Sequence, residues 1–238
     1  MKLMLIGGGD NGYGTTTYET KEIDEEIVKM TNKNNPTFLF IGLASSFSDS
    51  YYDIMKKIYQ NLGCKTTYLK KKNIINNPDI VKNKINEADI IYMSGGDTKK
   101  LVDIIKEYNI DKLIVDALNR GCVISGISAG AIAIANSGLS DYQILNNISN
   151  KYAFISGLNL ININICPHAN KKERIKDLKE LLKDNDNDIL CLDNGTALKI
   201  DNNNIEIIYS IKTNQVKLLS NTKETIIDNS NIKKIINL

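Results

Sequence analysis

Histidine is almost absent from this chain: His168 is the only one, and Arg120 and Arg174 are the only arginines. A lone histidine leaves a structural zinc site without a usual ligand set. The four cysteines, Cys64, Cys122, Cys166 and Cys191, are scattered and form no C-x-x-C pair. Three of them lie in apolar runs typical of buried free thiols, so no metal and no cofactor is expected. No charge of one sign dominates either. Thirty basic against 28 acidic side chains leave a net +2, which argues against a protein built to grip nucleic acid through its phosphates. Apolar runs stay well short of the ~20 residues that span a bilayer. The segment Met1–Gly14 also lacks the charged, apolar and small-residue zones of a secretory signal. The expectation is a cytoplasmic protein with no nucleic-acid or membrane partner.

What is present fits a globular fold. Hydrophobic residues at 42% and charged residues at 24% are ordinary for a packed domain, and one domain over 1–238 is expected. Short apolar runs alternate with segments of helical period. Strands are expected at Leu3–Ile6, Thr37–Leu43, Thr66–Leu69, Asp89–Met93 and Cys122–Ser125. Helices are expected at Glu19–Met30 with Thr20 as cap, Asp49–Leu62 stopped by Gly63, Pro78–Asn86, Thr98–Tyr108, Asp111–Asn119 and Ala131–Asn136. Such alternation means βαβ units and a mainly parallel sheet. Beyond about residue 185 the pattern changes, after a linker-like Asn-Asp-Asn-Asp stretch at 185–188. Five short strands follow, Ile189–Leu192, Thr196–Ile200, Ile205–Tyr209, Val216–Leu219 and Thr225–Ile227, suited to antiparallel pairing at one sheet edge.

Three glycine-rich turns follow strands. Gly7-Gly8-Gly9-Asp10-Asn11-Gly12 satisfies G-x-G-x-x-G, yet helical spacing starts only near Glu19 and no acid ends the second strand. A tight turn at the rim of a pocket is the better reading. Ser94-Gly95-Gly96-Asp97-Thr98 exposes backbone amides ahead of a helix capped by Asp97 or Thr98, where a developing oxyanion could be received. Gly126-Ile127-Ser128-Ala129-Gly130 is G-x-S-x-G between strand and helix, the context in which Ser128 becomes a candidate nucleophile and the Ala129 amide an oxyanion donor. A serine nucleophile needs a base. His168 follows the apolar run Ile163–Pro167, so it too would emerge at the strand ends.

These motifs, with Leu192-Asp193-Asn194-Gly195-Thr196-Ala197-Leu198, together resemble the peptidase E family. That group comprises the aspartyl dipeptidase and cyanophycinase type of serine peptidases, with a class I glutamine amidotransferase-like fold. The resemblance implies a three-layer αβα sandwich with short antiparallel edge strands near the C-terminus. It implies Ser128 as nucleophile, His168 as base, and the amides of Gly96 and Ala129 as oxyanion hole. Family members with a triad glutamate carry it at the position of Asn194 here, beside Asp193. A triad histidine calls for a carboxylate on its second nitrogen, so Asp193 is the expected third member. Asp141 matches an aspartate of the dipeptidase branch and is the alternative acid or a substrate contact. The partner implied is a small peptide, cleaved at a peptide or isopeptide-like amide. Pocket walls are expected from 11–18, 45–51 and 141–154. An α/β-hydrolase esterase, a non-catalytic regulatory protein on the same fold, and a nucleotide-binding flavodoxin-like module are the alternatives.

Overall fold

The computed structural model describes residues 1–12, 14–45, 47–184 and 186–236, with Asn76 described by its backbone alone. The strands are β1 (Lys2–Ile6), β2 (Thr37–Ile41), β3 (Lys65–Leu69), β4 (Ile90–Met93), β5 (Val123–Ile127), β6 (Ala135–Ser140), β7 (Ala153–Ser156), β8 (Ile161–Pro167), β9 (Ile189–Leu192), β10 (Thr196–Asp201), β11 (Asn204–Tyr209), β12 (Val216–Leu219) and β13 (Glu224–Ile227). The helices are α1 (Lys21–Met30), α2 (Ser48–Asn61), α3 (Lys71–Asn76), α4 (Pro78–Glu87), α5 (Thr98–Glu107), α6 (Ile110–Asn119), α7 (Ala129–Ile134), α8 (Tyr142–Leu145), α9 (Lys172–Leu181) and α10 (Ile232–Ile235).

Strands β1, β5, β4, β2 and β3 pair in parallel in that spatial order, and β10 and β11 extend the β1 edge antiparallel. The side-chain period of two divides this sheet's core. Leu3, Leu5, Leu39, Ile41, Ile91, Met93 and Ile124 pack with α4, α5, α6 and α7. Met4, Ile6, Phe38, Phe40, Ile90, Tyr92 and Val123 pack against Ile23, Ile27, Met55 and Tyr59 of α1 and α2. Strands covered on both faces read as unbroken apolar runs, which is why β2 and β4 carry no polar alternation. The expected α/β sandwich with mainly parallel strands is what forms.

The C-terminal strands do not all join one edge. A second sheet, ordered β13-β12-β9-β8-β6-β7, takes β9, β12 and β13, and β9 lies parallel to β8. Its Ile165, Leu190 and Leu192 join the larger core, while Cys166, Ile189 and Cys191 pack with Leu178 and Leu182 on the other face. Sequence reading missed β6 because Ala135 and Asn136 continue a small-residue helical pattern, whereas the helix stops at Ile134. It also left α3, α8, α9, α10 and β7 unread, most of them short and polar. The first residue of the 185–188 stretch lies outside the described residues. All four cysteines are buried free thiols. Among the described residues no helix is long and apolar enough to cross a membrane.

Beneath the first loop sits a buried polar knot. Thr20 occupies the N-cap position of α1, but its hydroxyl makes no capping bond and instead donates to Asp24 Oδ2 at 2.8 Å. Tyr18 and Tyr59 donate to the same carboxylate at 2.9 and 2.8 Å. Asn11 links this knot to Tyr51, donating to Thr20 Oγ1 at 2.8 Å and accepting from the Tyr51 hydroxyl at 3.0 Å. Burial pushes Asp24 up from 3.8 to about 6, against the pull of its three hydroxyl donors. The folded chain therefore keeps a proton that the unfolded chain releases near pH 4, and stability falls as pH rises through that window. Comparing wild type with Asp24→Asn by denaturant melts from pH 4 to 6.5 should show a decline of about 3 kcal/mol in the wild type that the variant lacks.

Candidate active site

Three consecutive carbonyls at the end of β1 organise the site. Ile6 C=O accepts the Ser128 amide at 3.0 Å, Gly7 C=O the His168 amide at 2.8 Å, and Gly8 C=O the Gly195 amide at 2.8 Å. Three segments remote in sequence are thereby brought together by one short stretch of backbone. Its last two positions have to be glycine. A Cβ on Gly7 would lie 2.4 Å from the Asp193 carbonyl oxygen, and one on Gly8 2.4 Å from the His168 ring and from Asn194 Oδ1. The run that resembles a dinucleotide fingerprint is thus a backbone clamp, with Gly9 on the wall of the adjoining cavity.

Ser128 stands between β5 and α7 with φ 54° and ψ −109°, a conformation that side chains rarely adopt. The bend is close-packed: a Cβ on Gly130 would come 2.1 Å from the Met93 carbonyl oxygen. His168 follows the last residue of β8 and also has positive φ, 53°. Its Nε2 accepts from the Ser128 hydroxyl at 2.9 Å, and its Nδ1–H donates to Asn194 Oδ1 at 2.7 Å. The amide oxygen therefore selects the tautomer whose Nε2 lone pair faces the serine.

Asp193 does not take the place expected for it. Its Oδ2 accepts the Gln215 backbone amide at 2.9 Å, which closes the turn leading into β12. Successive residues leaving a strand face opposite ways, so the turn that directs Asn194 at His168 directs Asp193 away from it. Asp141 is also not on the histidine: its Oδ2 lies 3.3 Å from Arg174 Nη2. Arg174 is buried behind His168, donating from Nη1 to the Pro167 carbonyl at 2.8 Å, with its guanidinium 4.6 Å from the Tyr152 ring centre.

Beside Ser128, a Cβ on Gly95 would touch the serine Cβ at 3.5 Å, so the Gly95–Gly96 turn packs against the serine. The Asp97 amide is bound to the Ala44 carbonyl at 2.9 Å and the Asp97 carboxylate caps α5 through the Lys100 amide at 3.0 Å. Among the described residues, neither the Gly96 nor the Ala129 amide has a protein acceptor. A cavity of about 260 Å³ opens here, lined by Tyr51, Gly96, Ser128, Asp141, Leu145 and His168 among others. Tyr51, Asp141 and Leu145 come from two of the three loops expected to wall a pocket; residues 13 and 46 of those loops lie outside the described residues. Sequence reasoning placed the Gly7–Gly12 turn at a pocket rim and Tyr51 in a wall, but did not see that the Gly7 and Gly8 carbonyls clamp the site, and it preferred Asp193 to Asn194 for its charge.

Burial pushes the His168 imidazole down from 6.5 to about 4, with the Arg174 cation adding to the effect and the Asn194 bond opposing it. Because the chain has one histidine, a single imidazole resonance reports this directly. In a proton NMR titration the resonance should stay in its neutral position until the pH falls below about 5. Asn194→Asp places a carboxylate on Nδ1 and should move the midpoint upward by at least one pH unit.

Residues 3–208 match peptidase family S51. The uncharacterized peptidase YgaJ of Bacillus subtilis (strain 168) is 28% identical over 211 residues, 86% of this chain and 85% of the relative. Among solved structures, a peptidase from an acI-B1 Actinobacterium aligns with a TM-score of 0.72 at 20% identity, covering 95% of this chain and 93% of that one. A Listeria monocytogenes EGD-e protein provisionally assigned to peptidase E aligns at 0.65 with 22% identity, over 87% and 98%. At such identities these two structures speak for the fold. The match over most of the sequence speaks for the family: the chain belongs to peptidase family S51.

Proposed function

We propose that this peptidase is a serine-type hydrolase of short peptides or isopeptide-like amides, with Ser128 as nucleophile, His168 as base and Asn194 as the residue orienting it. The observation that carries the reading is the unbroken line from Ser128 Oγ through His168 to Asn194, at 2.9 and 2.7 Å, on a strained strand-to-helix bend of the nucleophile-elbow kind. Attack of Oγ on the scissile carbonyl passes the hydroxyl proton to Nε2. The oxyanion that forms is received by the Gly96 and Ala129 amides. The imidazolium then returns its proton to the leaving amine, and water repeats the sequence to release the acyl group. Asn194 can fix the tautomer, but it brings no negative charge to stabilise the imidazolium. The low pKa of His168 fits such a neutral partner, and it keeps the base unprotonated at neutral pH.

Ser128→Ala should keep the fold and lower amide hydrolysis by roughly 10⁴–10⁶-fold, with loss of labelling by an organophosphonate. Wild-type turnover by that variant would remove the nucleophile from the reading. Asn194→Ala gives up one bond worth about 1.5–3 kcal/mol, so kcat should drop roughly 10–100-fold, whereas Asp193→Asn should leave kcat near wild type. The acid limb of kcat/KM should fall near pH 4 to 5 and disappear in whatever activity His168→Gln retains.

A further inference from the structure

We propose that the helical face around the α3–α4 and α5–α6 turns docks a second copy of this chain, forming a two-fold dimer of micromolar stability. The inference is independent of the hydrolase reading, because this face shares no residue with the cavity beside Ser128.

Two helix breaks that lie side by side shape the face. Pro78 opens α4 behind Asn77, whose side chain caps the helix by accepting the Ile80 amide at 3.2 Å. The second break is at Asn109, which separates α5 from α6 with φ 54°. Between the breaks runs a groove of about 530 Å³, with Ile74, Val81, Ile110 and Leu113 in its lining. Apolar side chains also stand out around it. Ile75, next to the lining residue Ile74, is 56% exposed, Tyr108 is 37% exposed, and Val115, three residues beyond Lys112 on α6, is 41% exposed. One surface thus offers both projecting apolar side chains and a groove to receive them. That combination is what a self-complementary contact requires.

Charge selects the occupant. The charged residues of the lining are Asp79, Lys82, Glu107 and Lys112, two acids and two bases. Among the described residues, none of the four forms an ion pair or a side-chain hydrogen bond within the chain. A rim with no net charge gives a strongly acidic or basic partner nothing to read. It suits a copy of itself. The wall formed by α4 carries one acid and one base, and so does the wall formed by the end of α5 and the start of α6. A two-fold axis through the groove lays each wall on the opposite wall of the other copy. Asp79 and Lys82 then meet Lys112 and Glu107 of the partner subunit, and the reverse pairs form with them. Helices α4 and α6 have ten residues each and run about 15 Å. Such a face is smaller than the ~800 Å² per partner of a standard stable interface, which sets the dimer in the micromolar range.

Sedimentation of the whole chain from about 1 to 300 µM tests this. The wild type should pass from a 26.6 kDa monomer to a dimer, half-paired at roughly 10–50 µM. Ile75→Ser should weaken pairing by roughly tenfold. Two double variants make rims of a single sign: Asp79→Lys with Glu107→Lys, and Lys82→Glu with Lys112→Glu. All four side chains are exposed, and circular dichroism checks that both variants fold. Each alone should stay monomeric throughout, while an equimolar mixture should pair at least as tightly as the wild type. A wild type that stays monomeric, a dimer indifferent to Ile75→Ser, or a mixture that fails to pair would each overturn the assignment. Should a double variant not fold, salt takes its place. Pairing of the wild type should then weaken about fivefold or more at high ionic strength, and a salt-indifferent dimer would overturn the proposal.

Discussion

The line from Ser128 through His168 to Asn194 hangs on the backbone of Ile6, Gly7 and Gly8. Their three carbonyls receive amides from Ser128, His168 and Gly195, and so tie together the end of β5, the end of β8 and the turn before β10. Two of those segments belong to the first sheet and one to the second. The clamp is therefore also a seam between sheets, and the line from Ser128 to Asn194 is drawn across it. Side chains at the seam would push the partners apart, since a Cβ at Gly8 would occupy the space of the imidazole. Backbone-to-backbone bonds at a strand end place such groups more reproducibly than side-chain contacts on a loop could.

Much of this was legible in the sequence, because it is written in period and punctuation. Apolar runs without alternation marked β2 and β4, helical spacing marked α1, α2, α5 and α6, and G-x-S-x-G marked the bend at Ser128. The partner of His168 was not legible, and the reason is local geometry. Asp193 and Asn194 are neighbours in a turn, and only the backbone path decides which of them faces the ring. Chemistry favoured the carboxylate; the turn, closed by Asp193 on the Gln215 amide, favoured the amide. The second sheet was hidden for a related reason. Strand β6, with Asn136, Ser137 and Gly138 in its middle, lacks the β-branched signature of a strand and forms because β7 and β8 lie on either side.

A neutral partner on Nδ1 of His168 changes the electrostatics of the site as a whole. With a carboxylate on Nδ1, a buried imidazole would be drawn toward protonation at neutral pH. With an amide there, burial dominates and the free base persists well into acid. In the proposed reaction the cost falls on the imidazolium formed during attack, which must be stabilised by something other than a triad acid. In the proposed reaction the oxyanion that develops at the same moment is of opposite sign and lies nearby, so the two charges stabilise each other.

Arg174 joins this electrostatics to the wall of the cavity. A guanidinium that is almost fully buried needs partners, and it finds the Pro167 carbonyl, the Tyr152 ring and the Asp141 carboxylate. Facing inward, it lowers the affinity of His168 for a proton; facing outward, it fixes the carboxylate that meets the cavity. Asp141 opposes it at the imidazole, so the pair acts on His168 as a dipole rather than as a bare cation.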